Sequence, residues 1–385
     1  MRSNSSLTSK VYIKMSGQIK AAVLTGSTEK NQLTEVKDIP FPKIHDDQIL
    51  IKAVSYAANP TDWKHAVSDW GNKGNISGSD VSGVVEQVGS KVTGYSKGDV
   101  VSTFLHGNYY QNRGAFSEYV IADPDTTIKY NIEKFRNEPL SVGNHKFGPI
   151  DSYEGAASVT LGLVTVALSF AHNLHISTDR NANASKYILI WSGSTATGFL
   201  AIQVAKLVYG LNVITTASKK NHDVLKSIGA DHVLDYKDKD VVEQIKKIGG
   251  ENITYALDTF STQESLQSVY DATENTKDVV IDNLLFLNEN SIKTNPSRNV
   301  KFTQTLVYLV MEDQKLGNMF IPTNEELKKD YREFWHKALP PHIKDIKHNN
   351  LKVLEPGFKS VNPALELLRE DKVTGEKIVF RASSD

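Results

Sequence analysis

One stretch of this 385-residue chain carries residue types at spacings that chemistry requires: Ile188-Leu189-Ile190-Trp191-Ser192-Gly193-Ser194-Thr195-Ala196-Thr197-Gly198, running on into Phe199-Leu200-Ala201-Ile202-Gln203-Val204-Ala205-Lys206. It reads as a buried strand, a turn of small residues and a helix. That arrangement aims backbone N–H groups and a helix dipole at a pyrophosphate. Only Gly193 and Gly198 of a GxGxxG pattern are present, and Ser and Thr fill the spaces between, where their hydroxyls add donors to the backbone ones. A Ser/Thr-rich turn with no ligand is the plainer alternative. A second apolar strand, Leu211 to Thr216, follows where a βαβ unit places it, and it ends in Ala217-Ser218-Lys219-Lys220, with no carboxylate before Asp223. A site for NAD puts Asp or Glu there to accept from the ribose 2′-OH. A hydroxyl and an ammonium instead suit a 2′-phosphate, so NADP (NADPH) is expected ahead of NAD, with NAD left open and solvated loop lysines as the bland reading.

The elements that must position this turn are legible in pattern. Leu200, Val204, Leu207 and Val208 fall on one face of a helix expected to pack on a sheet. Before residue 165 the chain reads as all-β, with short runs such as Gln48 to Val54 and a Gly-dense segment from Gly78 to Gly89 that suits the bends of a small barrel. Beyond it the rhythm becomes strand–helix–strand, through Ile228 to Tyr236 and Ile253 to Asp258. The change of period marks a domain boundary: 15–165 with 335–385 in one domain, 166–334 in the other, and 1–14 a disordered extension.

Composition narrows the classes. With 44 Lys and Arg against 45 Asp and Glu, the formal charge of −1 gives no electrostatic reason to expect nucleic acid or an anionic membrane as partner. The absence of Cys excludes disulfides, thiolate zinc sites and thiol nucleophiles together. The most apolar run, Ala156 to Ala171, is interrupted by Gly162 and hydroxyl residues and is not expected to span a membrane. A cytoplasmic location is expected, or a mitochondrial one if residues 1–14, which carry Arg2, Lys10 and Lys14 and no acid, are a targeting segment.

Several ordered segments resemble the zinc-independent members of the medium-chain dehydrogenase/reductase superfamily: Asn59-Pro60-Thr61-Asp62, Gly78 to Gly89, Gly98-Asp99-Val100-Val101, Gly114 to Val120, the dinucleotide turn, Gly229 to Val233, and Gly375-Glu376-Lys377-Ile378-Val379. Asn59 to His65 and Ser194 to Gly198 are most similar to the fungal branch of aldehyde reductases and trans-acting enoyl reductases, itself quinone oxidoreductase-like. The resemblance implies an α/β protein with a GroES-like β-barrel catalytic domain, a Rossmann domain of doubly wound parallel sheet, and an active site between them. Zinc-dependent relatives use Cys and His as ligands. This chain has Asn59 and Gly78-Ser79-Asp80 at those positions, and its 11 His show no ligand spacing, so no metal is expected.

Carried over, the resemblance implies Lys64 as the catalytic donor that stabilises a developing oxyanion or binds the cofactor ribose, with Thr61 and Asp62 beside it and His65 and Tyr56 as back-up donors. An exposed lysine beside Trp63 is the bland reading. Ser194, Thr195, Ala196 and Thr197 would lie on the pyrophosphate, and Ser218 and Lys219 on the 2′-phosphate. Tyr236 would pack at the adenine end unless it is a core aromatic, Phe260 would line the nicotinamide side, and Gly375 and Glu376 would approach from the tail. Phe104, Tyr109, Tyr110 and Phe286 would line a substrate pocket. The expected function is reduction of small reactive carbonyl compounds, aldehydes above all. Reduction of an activated C=C bond or a quinone is the alternative within enzymes, and a non-catalytic dinucleotide-binding protein the alternative outside them. The expected partner is a small-molecule substrate, and the chain a monomer or homodimer.

Overall fold

The structure, a computed structural model, describes residues 17–131, 133 and 135–383. The extension expected at 1–14 lies outside them.

The alternating runs of the first part form an antiparallel sheet centred on Ile49–Ala57. This strand pairs with Asp80–Val88, with Tyr119–Ala122 and, near its carboxyl end, with Glu376–Arg381 from the far end of the chain. Val100–Phe104 and Thr127–Lys129 extend the sheet beyond Asp80–Val88. Gly83 has a packing reason: a Cβ there would lie 2.1 Å from the Lys52 carbonyl oxygen, so only glycine lets the two strands close. The register sets both Asp80 and Val379 beside Ala57, which carries Asn59, Asp80 and Lys377 to one end of the sheet.

The second sheet is parallel throughout, in the order His232–Leu234, Asn212–Thr216, Tyr187–Trp191, Ile253–Asp258, Asp278–Asn283, Asn299–Gln304. That is the Rossmann order. The strand sequence reverses between Tyr187–Trp191 and Ile253–Asp258, and ligands of such sheets bind in the crevice outside the carboxyl ends there. Ile188, Leu189 and Ile190 are fully buried, as befits strands covered on both faces. Successive residues feed two cores: Ile188 and Ile190 pack with Phe199 and Leu200, whereas Leu189 and Trp191 pack with Leu266 and Val269.

Two expectations need correction. The helix after the turn, Ala196–Val204, is buried all round rather than along one stripe, with Phe199, Ala201 and Ile202 as enclosed as Leu200 and Val204. A second helix, Thr160–Leu168, packs on the Leu200 side, where a Cβ at Gly162 would meet Leu200 Cδ1 at 2.6 Å. Gly162 therefore permits helix contact and does not interrupt the apolar run. The helical stretch Tyr153–Asn173 is long and apolar enough to cross a membrane by length and composition, but 83% of its most apolar window is buried in the fold, so it is a core helix.

Candidate active site

The phosphate turn has the form its sequence implies. Thr195 caps Ala196–Val204, its Oγ1 accepting from Gly198 N–H at 3.0 Å and donating to Thr259 Oγ1 at 2.9 Å. The backbone N–H groups of Ser194, Ala196 and Thr197 take no protein acceptor among the described residues. A row of unpaired donors at a helix N-terminus fits a pyrophosphate. Asn349 Nδ2 donates to the Ser194 carbonyl at 3.3 Å, which ties the returning tail to the turn.

At the end of the neighbouring strand, Ser218 Oγ donates to Tyr236 Oη at 3.4 Å, and Lys219 and Lys220 are exposed beside them. Tyr236 is 44% exposed, which removes the core-aromatic reading, and Phe260 is 59% exposed. The loop carrying Phe260 is shaped by Asp258, whose carboxylate accepts from the N–H groups of Phe260 and Ser261. Gly375 takes a positive φ of 68°, and a Cβ there would come within 3.4 Å of the Asn221 amide; its carbonyl accepts from Asn350. Glu376 lies 3.8 Å from Lys352.

The short helix Pro60–Ala66 places side chains on two sides. Towards the antiparallel sheet, Asp62 accepts from Ser79 Oγ at 2.6 Å and from Asn59 N–H at 2.8 Å. Burial pushes its pKa up to about 7, against the pull of those two hydrogen bonds. Asp80 accepts from Asn59 Nδ2 at 3.0 Å, from Leu161 N–H at 2.8 Å and from Lys377 Nζ at 3.3 Å, and Lys377 also donates to Asn59 Oδ1.

The other side packs on a buried aromatic cluster that fills the cleft between the two halves. Thr61 Oγ1 lies 3.0 Å from His65 Nε2 and 2.5 Å from Tyr308 Oη, with Tyr308 Oη 3.5 Å from His65 Nε2. Tyr308 sits in the turn Val307–Val310 that follows the last strand of the parallel sheet, so this contact joins the two halves of the molecule. His106 stacks between Tyr308, at 3.7 Å, and Tyr109, at 4.4 Å, and Phe104 packs on Tyr308. Trp70 meets His65 and Phe286 edge-on. Burial lowers the pKa of His65 to about 4 and that of His106 well below the usual range, so both rings are neutral near pH 7.

Other expected residues stand elsewhere. Lys64 is exposed, with its ammonium 6.0 Å from the Trp63 ring and its charge facing Asp371; it makes no hydrogen bond or ion pair among the described residues, and partial burial lowers its pKa. Tyr56 is buried in the antiparallel core, its hydroxyl donating to the Ser117 carbonyl. Tyr308, His106, Asn349 and Lys377 were not singled out by sequence reasoning. Tyr308 lies within Leu306-Val307-Tyr308-Leu309-Val310, which reads as core, and only Lys377 carried a signal, as part of the tail segment.

Comparison with known proteins accords with this geometry. Residues 45–132 match the family model of the alcohol dehydrogenase GroES-like domain, and residues 196–316 that of zinc-binding dehydrogenases. The chain is 33% identical over 379 residues to an uncharacterised protein of Saccharomyces cerevisiae, covering 95% of this chain and 99% of that one. It is 33% identical over 371 residues to a trans-enoyl reductase of Aspergillus sclerotiorum, covering 92% and 98%. A mycobacterial protein solved with NADPH superposes with a TM-score of 0.65 at 20% identity, over 94% of this chain and 99% of that one. Where the resemblance sets the Cys and His ligands of zinc relatives, this chain has the Asn59 amide and the Ser79 hydroxyl, and these are engaged by the Lys377 ammonium and by Asp62, a donor set that does not fit zinc.

Proposed function

Because the chain belongs to the zinc-independent medium-chain dehydrogenase/reductase superfamily and is an NAD(P)H-dependent oxidoreductase, we propose that it reduces small reactive carbonyl compounds with a preference for NADPH. The observation that carries this reading is the junction where Thr61 and His65, on the helix Pro60–Ala66, meet Tyr308, on the turn after the parallel sheet, because it sets hydroxyl groups backed by an imidazole between the two halves of the molecule. The bound dinucleotide supplies the hydride. Ser194, Thr195, Ala196 and Thr197 would hold its pyrophosphate. Ser218 and Lys219 would hold the 2′-phosphate, a role supported by two exposed ammonium groups and a hydroxyl at the strand end, with Tyr236 at the adenine end. Phe260 would cover the nicotinamide side, and the tail at Gly375 and Glu376 would close over the turn.

A second reading has its own support, since a relative aligned over nearly its whole length is named a trans-enoyl reductase. Reduction of a conjugated C=C bond also develops charge on the carbonyl oxygen, so the same donors serve it. The test is product analysis after incubation with an α,β-unsaturated aldehyde and either NADPH or NADH. An allylic alcohol formed faster with NADPH supports the proposal, and a saturated aldehyde moves the assignment to C=C reduction. Dinucleotide binding without turnover of aldehyde, enal or quinone would leave a binding protein.

A further inference from the structure

We propose that Tyr308 is the proton donor to the substrate oxygen, with Thr61 and His65 recharging it from behind. The inference rests on the reductase reading and adds to it the identity and direction of the acid. Three observations carry it.

The first is position. Thr305 to Tyr308 follow the carboxyl end of the sixth parallel strand, on the side of the sheet where ligands of this fold lie, and Tyr308 reaches across to the helix Pro60–Ala66. The second is rigidity. The phenol ring is stacked at 3.7 Å and 14° on His106, which is stacked on Tyr109, and Phe104 packs at 5.8 Å. A hydroxyl on a clamped ring points one way.

The third is a count of protons. His65 Nδ1 is buried and has no partner, and an orphaned N–H is the costlier of the two orphans, so the network assigns the proton to Nε2. Nε2–H then donates to Thr61 Oγ1; between the Thr61 and Tyr308 hydroxyls either can donate, and the arrangement proposed is the one in which Thr61 donates onward to Tyr308 Oη. Both links consume acceptor capacity on the next oxygen. The phenolic proton of Tyr308 is left with no acceptor in that chain, and a substrate oxygen would provide one.

The step balances. As the substrate gains hydride from the nicotinamide, the carbonyl π pair moves onto oxygen, and the O–H bond of Tyr308 breaks as a new O–H bond forms on the substrate. The phenolate is recharged in one concerted relay: the Thr61 proton passes to Tyr308 as Thr61 takes the Nε2 proton of His65 and His65 Nδ1 takes one from solvent, so that no alkoxide or imidazolate forms, and exchange of the ring protons with solvent after product leaves restores the Nε2–H tautomer. An alkoxide is a stronger base than a phenolate, so the transfer runs downhill although burial raises the phenol pKa.

The experiment uses the full chain with NADPH and the α,β-unsaturated aldehyde, reading kcat, KM, NADPH affinity by fluorescence titration and the solvent deuterium isotope effect. For Tyr308→Phe, kcat should fall by about 10² to 10⁴, the range of general acid catalysis, with NADPH affinity unchanged. Thr61→Val should lower kcat without raising KM and enlarge the solvent isotope effect, because recharging becomes slow, and Thr61→Ser should restore much of the rate. A wild-type kcat in a folded Tyr308→Phe protein overturns the proposal. Should Tyr308→Phe fail to fold, equal rates for Thr61→Val and Thr61→Ser overturn it. An inactive wild type is a different result, since it removes the reductase reading itself.

Discussion

The helix Pro60–Ala66 separates two polar regions of opposite character. Behind it, every polar side-chain atom of Asn59, Asp62, Ser79, Asp80 and Lys377 has a partner within the protein. In front of it, His65 Nδ1, both ring nitrogens of His106 and Tyr110 Oη are buried with none. Unpartnered buried polar groups are rare and costly, so a cluster of them calls for an explanation, and a bound substrate is one. A saturated network has no capacity left for a ligand. Asp62, Asp80 and Lys377 therefore hold the scaffold, and the aromatic side is where unused donors and acceptors remain.

The largest expected effect comes from breaking the saturated region. Lys377 and Asp80 are both buried, and the lysine lies on the last strand. Lys377→Met leaves Asp80 with two hydrogen bonds and no countercharge, a loss of about 3–5 kcal/mol for one partner of a buried pair. Urea unfolding should report a loss of that size, and Lys377→Met with Asp80→Asn should recover part of it. Additive losses in the double variant would mean that the two side chains are not coupled.

The same region should also leave a signature in pH. The pKa of Asp62 is raised to about 7 in the fold, so from pH 4 to 7 the unfolded chain holds fewer protons at this site, and its contribution to stability falls as pH rises. His65, lowered to about 4, works the other way, adding stability as pH rises from 4 to 6.5. In Asp62→Asn the amide oxygen can still accept from Asn59 N–H while Ser79 Oγ reverses to accept, so the fold has a means to tolerate the change. Relative to the wild type, the variant should gain a few kcal/mol between pH 4 and pH 7.5 in denaturant titrations. A difference that stays flat with pH would show that Asp62 does not titrate in this window.

The contrast between the regions also explains what was legible in advance. Ile253–Asp258 and the turn from Ser192 to Gly198 were readable because apolar runs and small residues report local geometry. The Thr61–Tyr308 contact was not, since its partners stand 247 residues apart and nothing in Leu306 to Val310 distinguishes a cleft tyrosine from a core one. Tyr56 illustrates the converse: it lies close to the motif in sequence, but strand alternation turns it into the antiparallel core. Spacing along a helix was informative only once the sheets were placed, because Thr61 and His65, four residues apart, share a face that Lys64 does not.

Lys64 gives the smallest expected effect and the sharpest test of where the boundary lies. Its side chain is exposed, it has no hydrogen-bond partner among the described residues, and it reaches the cleft only through the field that helps depress the His65 pKa. Surface substitutions of this kind stay within about 0.5 kcal/mol, so Lys64→Ala should change kcat/KM by roughly twofold. Removal of the neighbouring positive charge should let the His65 pKa rise, which a titration of its ring protons by NMR would detect. The two readouts separate a lysine that tunes the cleft from one that works inside it. A hundredfold loss of kcat with NADPH affinity intact would make Lys64 the donor after all, and the orphaned atoms of the aromatic cleft would then need another explanation.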